Sequence, residues 1–561
     1  MSKMNYLSKG RLGAHGGGVR GDGAVVGSES FEGRFGRIFR GLPAGHWPAD
    51  ALRALGLAMT ADAEVDSAGN PSASPETADV IQDDEENAGL PAGYTYFGQF
   101  IDHDITFDPA SSLQKHNDPD ALVDFRTPRL DLDSLYGRGP EDQPYMYVGN
   151  KFRLGRKLKA LDQPTRSRDL PRYLDPDDTD GPKRAIIGDK RNDENVIVSQ
   201  LHSALLQFHN KLVDQSPTAT FVSIQQQVRW HYQWLVVNDF LVRLCGEDVV
   251  KSILPHLGKN EPLYKNEPQF AIYKWKNEAF MPIEFSAAAY RFGHSMVRPI
   301  YRLNQQLNGG AGPVATPDEV TRGLAGRFFV FAGVQERGLN GFDQFPDQWA
   351  IDWKLFFDST GSVSPGGKAR VQPAYKIDTS LVNPLGFLPE FSVTAPPPAD
   401  GSLTLAQLQG KPVDPVNSPA NLAERNLLRG GTMGLPSGQT VARSLGLKPI
   451  ADKDLRIGKA TLGDSETNKP ITEVHPAFAH HAPLWFYVLA EAQHEWLQRA
   501  KKPGSAGDKE PVRLGPVGAR IVAETLIGLL WADSHSYLRQ APNWAPDTIR
   551  VVGDLLNFAL S

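Results

Sequence analysis

The chain has almost no cysteine, no long apolar run and no marked excess of charge, and each absence narrows what it can be. Cys245 is the only cysteine among 561 residues. That excludes an intramolecular disulfide and every thiolate zinc cluster, so stability rests on packing, polar networks, or a metal or cofactor held without thiolates. No stretch reaches the ~18 apolar residues of a membrane span, and the basic start is not followed by the apolar segment of a classical secretory leader. The expected location is therefore cytoplasmic, or outside by a non-classical route. Lys plus Arg number 59 against 65 Asp plus Glu, a net charge of −6, which lacks the basic footprint of a nucleic-acid binder. No internal repeat of solenoid length is visible either.

What is present is an ordinary globular composition, 40% hydrophobic and 22% charged, on a chain long enough for a sizeable core. Residues 1–34 form a glycine-rich arm, with structure expected to begin near Phe35. Apolar residues at three- and four-residue spacing predict helices over Pro48–Met59, Val196–Val213, Phe221–Leu244, Ile283–Val297, 419–429, 482–500 and 516–531. Strand signals are few and short, and Pro- and Gly-rich tracts at 359–373 and 393–419 interrupt the helices. The fold class is mainly α.

Several familiar motifs fail on inspection. Asp175 to Gly181 resembles the start of a calcium-binding helix–loop–helix, but its glycine falls one position late and no glutamate closes the loop. Gly361 to Lys368 comes near a phosphate-binding loop, yet Ala369 follows the lysine where a hydroxyl should hold magnesium. His494-Glu495 lacks the second histidine of a zinc-protease helix.

Four stretches survive. In Tyr96-Phe97-Gly98-Gln99-Phe100-Ile101-Asp102-His103-Asp104 an imidazole lies between two carboxylates inside an apolar run, and burying them requires a cation, a hydrogen-bond network or a covalent bond. A structural network and a functional site both fit this stretch taken alone. Gly188-Asp189-Lys190-Arg191-Asn192-Asp193-Glu194-Asn195 opens an amphipathic helix with acids, which ordinary capping also explains. Tyr290-Arg291-Phe292-Gly293-His294-Ser295-Met296 carries a histidine after a glycine that leaves room for something flat, although a satisfied core histidine has the same appearance. Asn421 to Gly431 places Asn426 and Arg429 on one helical face, where a ligand or solvent would suit them equally.

Together and in order, the four resemble the haem peroxidases of the animal type, the peroxidase–cyclooxygenase superfamily, from about Phe35 to Leu556. Leu130-Asp-Leu-Asp-Ser-Leu-Tyr-Gly137 adds to the likeness, and Pro483 to Tyr487 and Leu514 to Glu524 are similar to bacterial members. The resemblance implies one large helical catalytic domain over 35–561, with long loops around a buried haem. By that match His294 is the proximal iron ligand and Asn426 accepts a hydrogen bond from its second ring nitrogen. His103 is the distal base, Arg191 stabilises charge on the leaving oxygen, and Gln99 orders water or halide beside His103. Asp102 and Glu194 match the acids that form esters with haem methyl groups. Asn195 stands where one branch has a methionine, so the sulfonium link of that branch is absent. Arg429 would pair with a haem propionate. Calcium is assigned to Asp104 with Thr127, the Arg129 carbonyl, Asp131 and Asp133.

The implied activity is oxidation of small donors, namely halides, thiocyanate or phenols, by hydrogen peroxide through a ferryl intermediate, with a link to the response to oxidative stress. Two alternatives stay open. One is a haem-dependent fatty-acid dioxygenase on the same scaffold. Against it, Arg291 stands where the cyclooxygenase branch has a radical-forming tyrosine, although Tyr232 or Tyr301 offers a substitute. The other is a haem-containing binding or adhesion module, which would need only His294.

Overall fold

Helix-forming segments with one apolar stripe must bury it, and here they do so against one another. In the computed structural model the described residues are 33–62, 84–107, 123–124, 126–160, 163–174, 176, 181, 183–257, 267–275, 278–304, 327–331, 338–364, 369–393 and 409–561. The predicted arm at 1–34 lies outside them except for its last two residues, which open a strand, Gly33–Gly36. The two loop motifs at 175–181 and 361–368 lie partly outside them too.

The main helices are α1 (Ala49–Ala58), α2 (Gly93–Ile105), α3 (Val196–Gln215), α4 (Phe221–Leu235), α5 (Leu422–Thr432), α6 (Leu484–Ala500), α7 (Pro516–Ala532) and α8 (Val552–Leu560). α4 continues through a π-helical segment, Val236–Phe240, into Leu241–Cys245, so the long helix expected over Phe221–Leu244 is present with a bulge inside it. The helix expected over Ile283–Val297 is not formed as one piece. It breaks at Ala288, between a short α-helix at Ile283–Ser286 and a 3-10 helix at Ala289–His294, because the segment must bend to carry His294 inward.

Strands are short and paired mostly in twos. Among the described residues the one three-stranded sheet sets Gly33–Gly36 between Val123–Asp124, antiparallel, and Met281–Pro282, parallel. A single contiguous apolar cluster runs from Phe35 to Ala559, so the two ends of the described chain share one core. Buried acids tie it together by capping backbone. Glu491 of α6 accepts from the amides of Val517 and Gly518 at 2.8 and 3.2 Å and so caps α7, while Glu284 accepts from Ile38 and Phe39. Among the described residues no helix is long and apolar enough to cross a membrane.

Candidate active site

α2 is buried along most of its length, which the polar residues within its apolar run tolerate only if each has a partner or a task. Its start is packed so tightly that a Cβ on Gly93 would meet the Phe357 ring at 2.3 Å. From this helix Gln99, Asp102 and His103 line a cavity of about 350 Å³, and Glu194 and His294 line the same cavity. Burial, with the nearby Arg191 cation, lowers the His103 pKa to about 3, so its imidazole is neutral and able to take a proton. His103 Nδ1 lies 2.8 Å from Oδ1 of Asn192, whose Nδ2 is 3.0 Å from Nδ1 of His202.

Asp189 shapes the turn before α3. It accepts from the Arg191 amide at 2.9 Å and takes the guanidinium groups of Arg126 and Arg191 at 2.6 and 2.7 Å. Burial alone would raise its pKa, but the two arginines outweigh that and hold it below the usual carboxylate range. Arg191 also donates to the carbonyls of His103 and Thr106 at 2.9 and 2.6 Å and lies over the Phe107 ring. Its guanidinium therefore buttresses the end of α2, and it is not among the residues lining the cavity.

Glu194 receives a hydrogen bond from Gln99 Nε2. Burial and the facing Glu390 push its pKa up to about 8, and burial raises Asp102 against the pull of Arg191 and Arg291. Both acids are biased toward the neutral state, which is also the state of an esterified carboxyl. The next residue, Asn195, caps α3 by accepting from the Ile197 amide at 2.8 Å. The segment 339–342 runs against this turn, with Val196 donating to Leu339 and Gly341 to Glu194. There a Cβ on Gly341 would lie 1.7 Å from the Asp193 carbonyl oxygen. Phe342 follows with φ of 62°, a conformation costly for an aromatic residue, and its side chain lines the cavity.

Elsewhere in the cavity lining, burial and then Arg291 lower the His294 pKa to about 3, leaving a neutral ring whose lone pair suits a metal. Nothing lies within 4 Å of where a Cβ on Gly293 would stand, so there is open space beside the histidine. Asn426 reaches His294 from α5. Its Nδ2 is 2.7 Å from His294 Nδ1, and its oxygen accepts from Arg291 at 2.8 Å. The sequence reading has Asn426 accepting from His294, whereas here the amide oxygen is taken by Arg291 and the nitrogen faces the ring. Arg429, one turn along α5, does not line the cavity. Two histidines from separate elements lining one cavity, the acids biased toward neutrality and the open space at Gly293 fit the haem that the resemblance implies.

Behind α2, Asp104, Asp131 and Asp133 bring ligand atoms within 4.8 Å of one another, all three buried. Leu132 adopts φ of 59°, which turns the flanking carboxylates the same way. Asp104 accepts from the Leu132 and Ser134 amides at 3.2 and 3.3 Å. Thr127 donates its hydroxyl to Asp131 at 2.9 Å. Arg129 lies in the same turn, with its amide donating to the Thr127 carbonyl. Burial, with Asp131 alongside, raises the Asp104 pKa to about 7, and burial raises Asp131 and Asp133 also. Oδ1 of Asp133 is buried with no hydrogen-bond partner among the described residues. That oxygen lies 3.7 Å from Arg126 Nη1, and three carboxylates crowded this closely fit a hard divalent cation.

Sequence reasoning missed Asn192, His202 and Arg291 as partners of the two histidines. Asn192 and Arg291 stood inside quoted motifs, but nothing in the sequence marks which side chain each would reach. Neither Tyr232 nor Tyr301 lines the cavity, whereas Tyr94, Tyr96 and Tyr290 do.

Residues 111–321 match the family model described as animal haem peroxidase. No curated protein matches the chain. Among solved structures, peroxidase A from Dictyostelium discoideum is similar at 14% identity and a TM-score of 0.56, covering 95% of this chain and 94% of that one. A fatty acid alpha-dioxygenase from Arabidopsis thaliana matches at 13% identity and a TM-score of 0.48, covering 93% and 74%. One from Oryza sativa matches at 11% and 0.47, covering 92% and 78%.

Proposed function

We propose that this chain is a member of the peroxidase–cyclooxygenase superfamily and a haem peroxidase oxidising small donors with hydrogen peroxide. The observation that carries the reading is that His103 and His294 line one cavity from separate elements, each neutral and each with Nδ1 tied to an asparagine. When bound, haem would supply the redox chemistry that carries oxidising equivalents from peroxide to the donor. His294 would hold the haem iron, with Asn426 and Arg291 orienting its ring. Nε2 of His103 takes a proton from the peroxide oxygen and returns it to the departing oxygen, help of the kind worth roughly 100- to 10,000-fold. Arg191, held by the carbonyls of His103 and Thr106 at the end of α2, would stabilise charge on the departing oxygen, and Gln99 is held by Glu194 at the cavity wall.

Asp102 and Glu194 would form esters with the haem, and Arg429 would meet a propionate. Calcium would be held by Asp104, Thr127, the Arg129 carbonyl, Asp131 and Asp133. Because Asp104 follows His103 directly, the cation would steady the distal base. The donors in view are halides, thiocyanate and phenols.

An absorption spectrum before and after peroxide, followed by acid-organic extraction, tests this reading. A Soret band that shifts with peroxide and returns with iodide or a phenol supports it, as does colour left on the protein after extraction. A band unmoved by peroxide would favour a binding module. Oxygen uptake with a polyunsaturated fatty acid and no peroxide-dependent turnover would favour the dioxygenase.

A further inference from the structure

Two side chains to which the peroxidase reading gives no chemical role stand behind His103: Asn192, which bonds to it, and His202, which bonds to Asn192. Asn192 comes from the 3-10 turn before α3, and His202 from α3 itself. Both are fully buried. The Asn192 amide is anchored by its own backbone, whose N–H donates to the Asp189 carbonyl at 3.1 Å. Its side chain bridges the two imidazoles, with Oδ1 toward His103 Nδ1 at 2.8 Å and Nδ2 toward His202 Nδ1 at 3.0 Å. The edge of His202 is packed against the Phe100 ring, one turn before His103 on α2, at a centroid distance of 6.0 Å.

We propose that Asn192 and His202 are positioning residues that hold His103 in the tautomer with its proton on Nδ1, so that Nε2 presents a lone pair to the cavity. An amide has one accepting end and one donating end, so the end that faces His103 decides which ring nitrogen keeps the proton. With Nδ2 donating to Nδ1 of His202, the oxygen is left for His103. The arrangement has a cost that an apolar residue at position 202 would avoid. Nε2 of His202 is buried with no hydrogen-bond partner among the described residues, and such orphans call for an explanation. Orienting Asn192 supplies one. The proposal rests on the reading of His103 as a base. In that reading one proton leaves the peroxide oxygen for Nε2 and returns to the departing oxygen, with no net change at the ring. The opposite tautomer has no lone pair to receive it.

The test uses the reduced, haem-loaded protein with carbon monoxide bound, and reads the C–O stretch in the infrared. A lone pair facing the bound ligand opposes electron donation from iron into the C–O bond and keeps the stretch high, whereas an N–H there lowers it. The expected result is a high stretch in the unaltered protein and in Asn192→Asp, which still accepts from Nδ1. A lower-frequency band should appear in Asn192→Leu and in His202→Phe. Alongside, the rate of reaction with peroxide should fall at least about tenfold in Asn192→Leu and recover in Asn192→Asp. A low stretch in the unaltered protein, or one that neither Asn192→Leu nor His202→Phe moves, overturns the proposal. If Asn192→Leu does not accumulate, His202→Phe decides alone. Absence of any Soret band would instead bring down the haem reading, and this inference with it.

Discussion

The amide nitrogen of Asn426 lies 2.7 Å from Nδ1 of His294, while the amide oxygen is held by Arg291. A histidine that binds iron through Nε2 keeps its proton on Nδ1 and needs an acceptor there. Aspartate at position 426 would accept from both neighbours. Asn426→Asp is expected to retain haem and to lower the reduction potential of the iron, because a carboxylate gives the ring more anionic character. Asn426→Leu removes a buried partner of Arg291 and should cost about 1–3 kcal/mol of stability. Potentiometric titration followed at the Soret band checks the first claim, and a potential that rises in the aspartate variant refutes it.

Replacement of His103 separates chemistry from cofactor retention. His103→Ala should keep the Soret band, since His294 and its partners are untouched, and should reduce peroxide turnover by roughly 100- to 10,000-fold. Turnover within a few fold of the unaltered protein would show that another group serves as the base.

Covalent attachment can be read without any turnover assay. Asp102→Asn and Glu194→Gln each remove one carboxyl that lines the cavity. Each variant alone should retain a fraction of bound colour after acid-organic extraction, and the double variant should release all of it. Full release from the unaltered protein after peroxide treatment would mean that neither ester forms.

The acidic cluster predicts a specific pH dependence. Asp104 has its pKa raised in the folded chain to about 7, against about 3.9 when unfolded. The folded state therefore holds the extra proton, and the stability this contributes is full below about pH 4 and is lost as pH rises through about 7. Calcium favours the ionised form and should cancel the loss. His103, His202 and His294, lowered by burial, pull the other way, costing stability as pH falls below about 6.5, so the useful quantity is a difference. The gap in Tm between protein with calcium and protein with EDTA should widen from pH 4 to pH 7. A constant gap, or one that narrows, counts against a cation at this cluster.

Gly341 tests whether the segment behind Glu194 sets its position. A methyl group at 341 would meet the Asp193 carbonyl at 1.7 Å, and backbone cannot rotate away as a side chain can. Gly341→Ala should lower stability by about 1–3 kcal/mol and reduce the ester at Glu194 more than the one at Asp102. Equal effects on both would point to general loosening.

The helices α1, α3, α5, α6 and α7 were legible because their apolar spacing is local, and a 3.6-residue period needs no knowledge of the partner. The segment at 283–297 was not, since its break at Ala288 answers to where His294 must sit, which is a tertiary demand. The same division holds at the site. Asp102 and His103 stood out because an imidazole between acids in an apolar run is written in adjacent residues, whereas Gln99 and Glu194 were nameable only through the resemblance to the animal-type haem peroxidases. Arg191 was nameable too, yet its hydrogen bonds to the carbonyls of His103 and Thr106 were not, because any arginine looks alike until its acceptors are known. The Asn192 and Asn426 bridges also belong to the tertiary structure alone. Residue type and local spacing thus determined which groups are available for chemistry, while folding decided which nitrogen of each histidine an asparagine holds, since a hydrogen bond depends on atoms that only the packed chain brings within 3 Å.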